Sequence, residues 1–363
     1  MPAGNVNRPD LEPAGRKLRV GVVGIGYLGR FHAEKYAAIP GAKIVGLADL
    51  LPQRAREWAD KLGTEAFSSY RSLLGKVDAV SVVVPTDRHY EVSREFLLAG
   101  SDVLVEKPIA STIEEAEELI ALARKQGKIL QVGHVERFNP VILAAREKIR
   151  VPLFVECRRL TRFRGRGAEV DVVLDLMIHD LDIILSIVRS PVREVRAAGA
   201  LFVTEKTDIA NARLEFDCGS VADVSASRVS LEDCRRMRVF QPGTCLTLDY
   251  GSKEVSLLRR STAPEKGGFR IAAEKVEVRS GDALEAEIRS FVHSSVTRTA
   301  PAVTGEDGRD ALALAFRINE KIRKNLEKVP SIVSFYEQKN TADLSLDGSA
   351  ENTNAWRGER KES

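Results

Sequence analysis

The fold class this sequence predicts is a doubly wound α/β domain followed by an α+β domain with an open, predominantly antiparallel sheet. Three observations predict it. From Leu18 the chain alternates β-branched runs with amphipathic stretches, the order of a parallel sheet covered by helices. The first run ends in Gly24-Ile25-Gly26-Tyr27-Leu28-Gly29, a glycine turn between a predicted strand and a predicted helix. After the apolar helix DVVLDLMIHDLDIILSIV, strand follows strand directly, as in an antiparallel sheet.

The elements follow in order. Residues 1–16 read as a loose tail. LRVGVVG is a continuous β-branched run, expected of a strand buried on both faces. IVGLAD, AVSVVV, DVLVE and ILQVGH follow as parallel strands, with helices around 27–38, 51–62, 88–99 and 112–126. These make a first domain over 17–135 and leave 136–330 for the second. There a short helix over 140–149 precedes the strand PLFVECRRLTRF, a basic loop and the apolar helix DVVLDLMIHDLDIILSIV. VREVRAAGALFV, ANARLEFDC, SVADVSASRV, RRMRVFQ and TCLTLDY then build the sheet, and helices near 282–296 and 307–325 close it. The polar composition of 338–363 predicts a disordered tail.

Composition bounds the function. A chain of 363 residues has room for two cores. A net charge of +3 gives no global field for nucleic acid or a membrane surface. No apolar run reaches the length of a membrane span, and the N-terminal residues lack the apolar core of a signal peptide. Cys157, Cys218, Cys234 and Cys245 show no C-x-x-C spacing. The expectation is a cytoplasmic, reduced protein without a structural zinc.

The glycine turn has the chemistry of a pyrophosphate cradle. Gly24 permits the tight turn, Gly26 lets a phosphate approach the backbone, and Gly29 allows close helix–strand packing, with Tyr27 and Leu28 between them. Helix N-terminal amides then face the phosphates. Asp49 closes the second strand, where an acid holds the adenosine ribose hydroxyls and repels a 2′-phosphate. Leu50, Leu51 and Pro52 offer no partner for such a phosphate, although Arg54 is close, so NAD is favoured over NADP. A plain helix-capping role for Asp49 stays open.

The apolar helix carries a polar stripe. Asp175, His179 and Asp182 sit at i, i+4 and i+7, one face of a helix. Burying such groups is costly unless they are paired or working, so the stripe reads as a pocket wall. A mixed N/O set of this kind could take a metal, but nothing resembles H-E-x-x-H, and the expectation is no metal, with Asp182 in support.

Three more segments complete an ordered set. Val84-Pro85-Thr86-Asp87-Arg88-His89 ends AVSVVV, Glu106-Lys107-Pro108 ends DVLVE, and Thr304-Gly305-Glu306-Asp307-Gly308-Arg309 opens the last helix. With the glycine turn and the D-x-x-x-H spacing of Asp175 and His179, the chain resembles the Gfo/Idh/MocA family of oxidoreductases over roughly residues 17–327. The resemblance implies a Rossmann domain followed by a domain on an open antiparallel sheet, and hydride transfer between a sugar-like alcohol and nicotinamide. It implies that Lys107 reaches the substrate hydroxyl and the nicotinamide region, with a cis bond to Pro108. Asp175 and His179 match the other two active-site positions, and Pro85, Thr86, His89 and Glu106 match positions around the cofactor. It also implies a homo-oligomer that uses the open sheet.

The chemistry wants the same groups independently. Oxidising a secondary alcohol needs an acceptor for the hydroxyl proton, and imidazole titrates near neutrality. His179 is the expected base, tuned by Asp175 one turn earlier, with Lys107 stabilising alkoxide charge or sharing the proton. Singly, each has a plainer reading: a surface lysine, a satisfied core histidine and its structural partner.

Within the family, Gly133–Pro140 (GHVERFNP) together with VVLDLMIHDLD resembles the nucleotide-sugar 3-dehydrogenase branch. That resemblance implies oxidation of the 3-hydroxyl of UDP-N-acetylglucosamine, and a downstream PLP aminotransferase on the way to diamino-sugar lipid A. CRRLTRFRGRG carries Arg158, Arg159, Arg162, Arg164 and Arg166, and arginine suits bidentate diphosphate binding. On an alternating strand Arg158 and Arg162 share one face and Arg159 opposes them. A solvated edge strand or an oligomer contact is the competing reading. Arg137 and Asn139 are candidate sugar contacts, with helix capping by Asn139 ahead of Pro140 as the alternative. A free polyol or inositol dehydrogenase, or an NAD-binding regulator without catalysis, are the other functions open to this sequence.

Overall fold

The computed structural model describes residues 16–163, 165, 167, 169–263 and 268–329. Residues 1–15 and 338–363 of the predicted tails, Arg164 and Arg166 lie outside that set. The first sheet holds β1 (Leu18–Val23), β2 (Ala42–Ala48), β3 (Glu65–Phe67), β4 (Ala79–Val82), β5 (Asp102–Glu106) and β6 (Leu130–Gly133). Their order is β3-β2-β1-β4-β5-β6, all parallel, with the crossover between β1 and β4. Ligands in such sheets bind beyond the carboxyl ends of the strands at that switch point. Helices α1 (Gly29–Ala37), α2 (Pro52–Leu62), α3 (His89–Leu98) and α4 (Ile113–Gln126) connect the strands. Four consecutive buried residues in each of β4 and β6 explain the unbroken apolar runs there, since both faces are covered. The three-residue strand β3 was not legible in the sequence, being too short for a period to emerge.

A short helix α5 (Pro140–Arg146) leads to β7 (Phe154–Leu160) and, after a loop, to α6 (Ile178–Val188). Then come β8 (Val192–Ala200), β9 (Ile209–Phe216), β10 (Val221–Ser227), β11 (Cys234–Gln241), β12 (Thr244–Asp249), β13 (Glu254–Ala263) and β14 (Gly268–Val276). The eight strands order as β14-β13-β12-β11-β7-β10-β9-β8. Every pair is antiparallel except β7 with β10. One face packs on α6 through Val155, Cys157, Ala212, Val224, Met237, Leu181 and Ile184. The other face carries charged ladders such as Arg213–Asp223 and Arg236–Asp249. The β13–β14 hairpin extends the sheet beyond the strands the sequence suggested.

Two late helices bind the halves together. Ile288, Phe291 and Val292 of α7 (Ala283–Thr297) join Val20, Tyr36 and Leu104 in the core of the first sheet. The α8 helix (Gly305–Leu326) starts on a capping box between Thr304 and Asp307. Its Leu312 packs with Val132 of the first sheet, and its Leu314, Ile318 and Ile322 pack under the second.

Candidate active site

The cradle follows from the glycines. Gly24 has φ +89°, and a Cβ on Gly29 would lie 1.7 Å from the Gly24 carbonyl oxygen, so neither position accepts a side chain. A Cβ on Gly26 would meet nothing within 4 Å, which leaves the space a pyrophosphate needs. Tyr27 and Leu28 are exposed beside it. Asp49 stands at the mouth, with Oδ2 accepting from Ile25 N at 2.7 Å and Oδ1 from Leu51 N at 2.8 Å. Arg54 is 3.8 Å from the Asp49 carboxylate. These residues fit a dinucleotide at the switch point.

The next strand ends complete the floor. Pro85 is exposed and Thr86 half-buried on the turn after β4. His89, expected to line the cofactor, is instead buried, with Nδ1 2.7 Å from Pro108 O and Nε2 2.9 Å from Val84 O. It clasps two backbone segments, so the expectation of cofactor contact gives way to a structural one. The Lys107–Pro108 bond is cis. Glu106 accepts from the Lys107 N–H at 3.3 Å and lies 3.0 Å from His32 Nε2.

Lys107 meets the apolar helix. Its Nζ donates to Asp175 O at 2.8 Å and lies 4.0 Å from Asp175 Oδ1. The helix begins with a π-helical turn over Val173–Met177 before α6 continues it. Such wide turns recur at functional sites. Asp175 lies in the turn, and His179 follows at the start of α6. Gly167, at φ +72°, passes so close to Asp175 that a Cβ there would sit 2.7 Å from Oδ2. Arg228 fixes that loop by donating to the Gly167 and Val170 carbonyls.

Burial pushes the Lys107 ammonium below its ordinary value, partly offset by Asp175 and Glu106. Enclosure pushes His179 well below the usual imidazole range, and the charges of Lys107 and Arg159 push it further. Its Nδ1 is buried without a hydrogen-bond partner. Among the described residues no hydrogen bond joins Asp175 to the His179 ring; the contacts of Asp175 are with Lys107 and beside Gly167. The site thus brings a buried imidazole and a buried lysine together at the carboxyl end of β5, two groups of the kind that take and give protons.

Other sequence candidates lie elsewhere. The Asp182 carboxylate takes a two-pronged ion pair from Arg137, at 2.6 Å from Nε and 2.7 Å from Nη2, and Arg137 also lies 3.3 Å from Asp307. Arg137 is therefore held in a structural ion pair through Nε and Nη2. Asn139 caps α5, accepting from Val141 N at 3.0 Å and donating to Glu136 at 2.9 Å, the capping role the sequence offered as its alternative. Arg158 is exposed on the sheet face opposite α6, 3.3 Å from Glu156. Arg162 is exposed and donates to Leu231 O at 2.9 Å. The inward arginine is Arg159, buried and paired with Asp180 at 2.8 Å and Glu136 at 3.0 Å. Opposite it in register on β11 is Arg235, exposed, whose charge is also felt by His179. Strand parity with buried Met237 and Val239 was the signal that could have found Arg235. The donor types of a metal site meet in His32, Glu106 and Glu287, a cluster that includes neither Asp175 nor His179.

Comparison with known proteins agrees with this geometry. A family model described as oxidoreductase family, NAD-binding Rossmann fold matches residues 18–134, and a GFO/IDH/MocA C-terminal domain model matches 158–241. The chain is 37% identical over 312 residues to UDP-N-acetylglucosamine 3-dehydrogenase of Acidithiobacillus ferrooxidans, covering 86% of this chain and 99% of that one. A solved structure of that enzyme superposes with a TM-score of 0.80, covering 85% of this chain and 98% of the other. The scyllo-inositol 2-dehydrogenase (NAD(+)) of Bacillus subtilis is 28% identical over 333 residues, 85% of this chain and 95% of that protein. Levoglucosan dehydrogenase, solved with NADH and levoglucosan, shares the fold at a TM-score of 0.75 and 19% identity, over 85% of this chain and 98% of that one.

Proposed function

Because this chain belongs to the Gfo/Idh/MocA family of NAD-binding oxidoreductases, we propose that it oxidises the 3-hydroxyl of UDP-N-acetylglucosamine to a ketone. The observation that carries the reading is the meeting of Lys107, Asp175 and His179 at the carboxyl end of the sheet whose first strand leads into the Gly24–Gly29 cradle. The length and identity of the match to the Acidithiobacillus ferrooxidans enzyme support the choice of sugar.

Gly24, Gly26, Gly29 and Asp49 hold the dinucleotide, with Pro85, Thr86 and Glu106 along its path. When bound, NAD supplies the acceptor for the hydride leaving C3 of the sugar. His179, neutral at working pH, takes the hydroxyl proton. Lys107 donates toward the oxygen as charge develops on it, and the Asp175 carbonyl and carboxylate aim the ammonium. The neighbouring positive charges of Lys107 and Arg159 then disfavour the imidazolium and hasten proton release. Arg235, on the inner sheet face, takes the place the sequence gave to Arg158 and Arg162 as the diphosphate contact.

No helix among the described residues is long and apolar enough to cross a membrane. We place the enzyme in the cytoplasm, where both NAD and nucleotide-sugars are made. The open sheet face serves self-association into a homo-oligomer, and a PLP aminotransferase consumes the ketone.

The test mixes the protein with NAD and UDP-N-acetylglucosamine and follows NADH absorbance, with an aminotransferase and glutamate present to draw off the ketone. Turnover supports the assignment. Turnover on inositol alone replaces it with the free-polyol reading.

A further inference from the structure

A second carboxyl stands behind the catalytic lysine. Glu106 receives His32 Nε2 at 3.0 Å and the Lys107 N–H at 3.3 Å. His32 Nδ1 lies 3.3 Å from Ser81 Oγ, which is 2.9 Å from the Tyr36 hydroxyl. The α7 helix brings Glu287 to the same place, so that one ligand atom from each of His32, Glu106 and Glu287 lies within 4.8 Å of the others. Glu287 is fully buried, and neither of its carboxyl oxygens has a hydrogen-bond partner. Gln131 reaches only the Glu287 main-chain carbonyl, at 3.3 Å.

The charged and titratable groups that face Glu287 are His32 and Tyr36 of α1, Glu106 of β5 and Asp182 of α6, and Lys107 and His134 in turn face Glu106. Asp182 is neutralised by Arg137, and Glu106 has two donors and the lysine. Glu287 has none of these. Two ionised carboxylates this close in a buried site repel strongly, and one of them keeps a proton. The donors select Glu106 as the charged member.

We propose that Glu287 is a positioning residue that retains its proton at neutral pH beside the Glu106 carboxylate, whose nearest oxygen lies within 4.8 Å, and so fixes the strand end carrying Lys107. The directions of titration agree. Burial, with the charges of Glu106 and Asp182, raises Glu287 well above the carboxylate range. Burial also raises Glu106, but His32 and Lys107 outweigh it and leave Glu106 below its ordinary value. The competing occupant of three such ligands is a divalent metal ion. The absence of a cation is not what favours the proton. The complete burial of Glu287 does, together with the His32 nitrogen already facing Glu106.

This inference rests on the proposed role of Lys107, so its test has an arm that needs no turnover. Infrared difference spectra of wild type against Glu287→Gln at neutral pH should show the carbonyl stretch of a protonated carboxylic acid, lost in the variant. Absence of that band overturns the proposal. One equivalent of metal in the purified wild type, lost in Glu287→Gln, overturns it too. In the kinetic arm, Glu287→Gln keeps a donor and retains kcat within about twofold. Glu287→Met keeps volume without a donor and lowers kcat roughly tenfold, the low end of what misplacing a catalytic group costs. Equal loss in both variants, or loss in neither at matched melting temperature, removes the positioning role. A chain that turns over no sugar still reports its proton in the infrared.

Discussion

The Lys107 ammonium donates to the main-chain carbonyl of Asp175 at 2.8 Å while the Asp175 carboxylate stays 4.0 Å away. The backbone of Asp175 therefore does the holding and its side chain adds field. Lys107→Met removes both the donor and the charge, and kcat/KM should fall about 10²- to 10⁴-fold. Asp175→Asn keeps the carbonyl contact and should lose less, roughly 10- to 100-fold. NAD binding, followed by fluorescence titration, should persist in both. An Asp175→Asn enzyme as damaged as Lys107→Met would make the carboxylate the primary group.

The pH profile follows from the same pair. His179 titrates well below 6.5 through burial, then repulsion by Lys107 and Arg159, so it is already the neutral base at pH 7. Lys107 titrates below 10.5 through burial. The sign is fixed: kcat/KM rises as pH climbs through the depressed His179 value, then falls as Lys107 loses its proton. Lys107→Arg should push the alkaline fall to higher pH, because guanidinium holds its proton more firmly. A profile rising through pH 7 to 9 would mean that Lys107, not His179, is the base.

Strand parity separates the arginines. Arg235 shares the inner sheet face with Arg159, whereas Arg158 is exposed on the outer face. A hydrogen bond to a charged group is worth about 1.5–3 kcal/mol. Arg235→Gln should therefore raise KM for UDP-N-acetylglucosamine by roughly 10- to 100-fold at that magnitude. Arg158→Gln should leave it unchanged. Equal effects from the two would return the diphosphate to the outer loop.

Much of this was legible in sequence because period and spacing encode it. The β-branched runs, the glycine turn and the Glu106-Lys107-Pro108 strand end fixed the first domain and the cradle, since each places backbone groups directly. The side-chain partners were harder. Arg137 and Asp182 are 45 residues apart and meet only when α6 folds back on the turn after β6. His89 looked like a cofactor contact, and its two carbonyl partners arise from long-range packing. Glu287 reads as an ordinary surface acid on an amphipathic helix until α7 enters the first core. The π-helical turn at Val173–Met177 leaves no sequence signature, because an apolar run fits either helix.

The Arg137–Asp182 pair makes a prediction about stability rather than chemistry. Its side chains are 11% and 1% exposed, so neither charge is well solvated alone. Asp182→Asn should destabilise the protein by about 3–5 kcal/mol by leaving Arg137 without its main partner. The loss should appear in melting temperature, with kcat per folded molecule little altered. Arg137→Leu combined with Asp182→Leu should recover part of the loss, because a matched apolar pair removes both desolvated charges. Equal melting temperatures for wild type and Asp182→Asn would show that the pair holds nothing.

We assign the choice of dinucleotide to Asp49. Its carboxylate is only 8% exposed, tied to Ile25 N and Leu51 N, with Arg54 3.8 Å away. A 2′-phosphate placed there meets a fixed negative charge, and the arginine able to bind it is held by that same charge. Asp49→Ser keeps an oxygen that can accept from the backbone but removes the repulsion and releases Arg54. The ratio of kcat/KM for NADP over NAD should then rise roughly 10- to 100-fold, about 1.4 kcal/mol for each factor of ten. Adding Arg54→Ala should cancel most of that gain, because the phosphate loses a bidentate partner beside position 49. A ratio that stays put in Asp49→Ser would reduce the carboxylate to a tie for the glycine turn, and cofactor choice would have to come from elsewhere in the cradle.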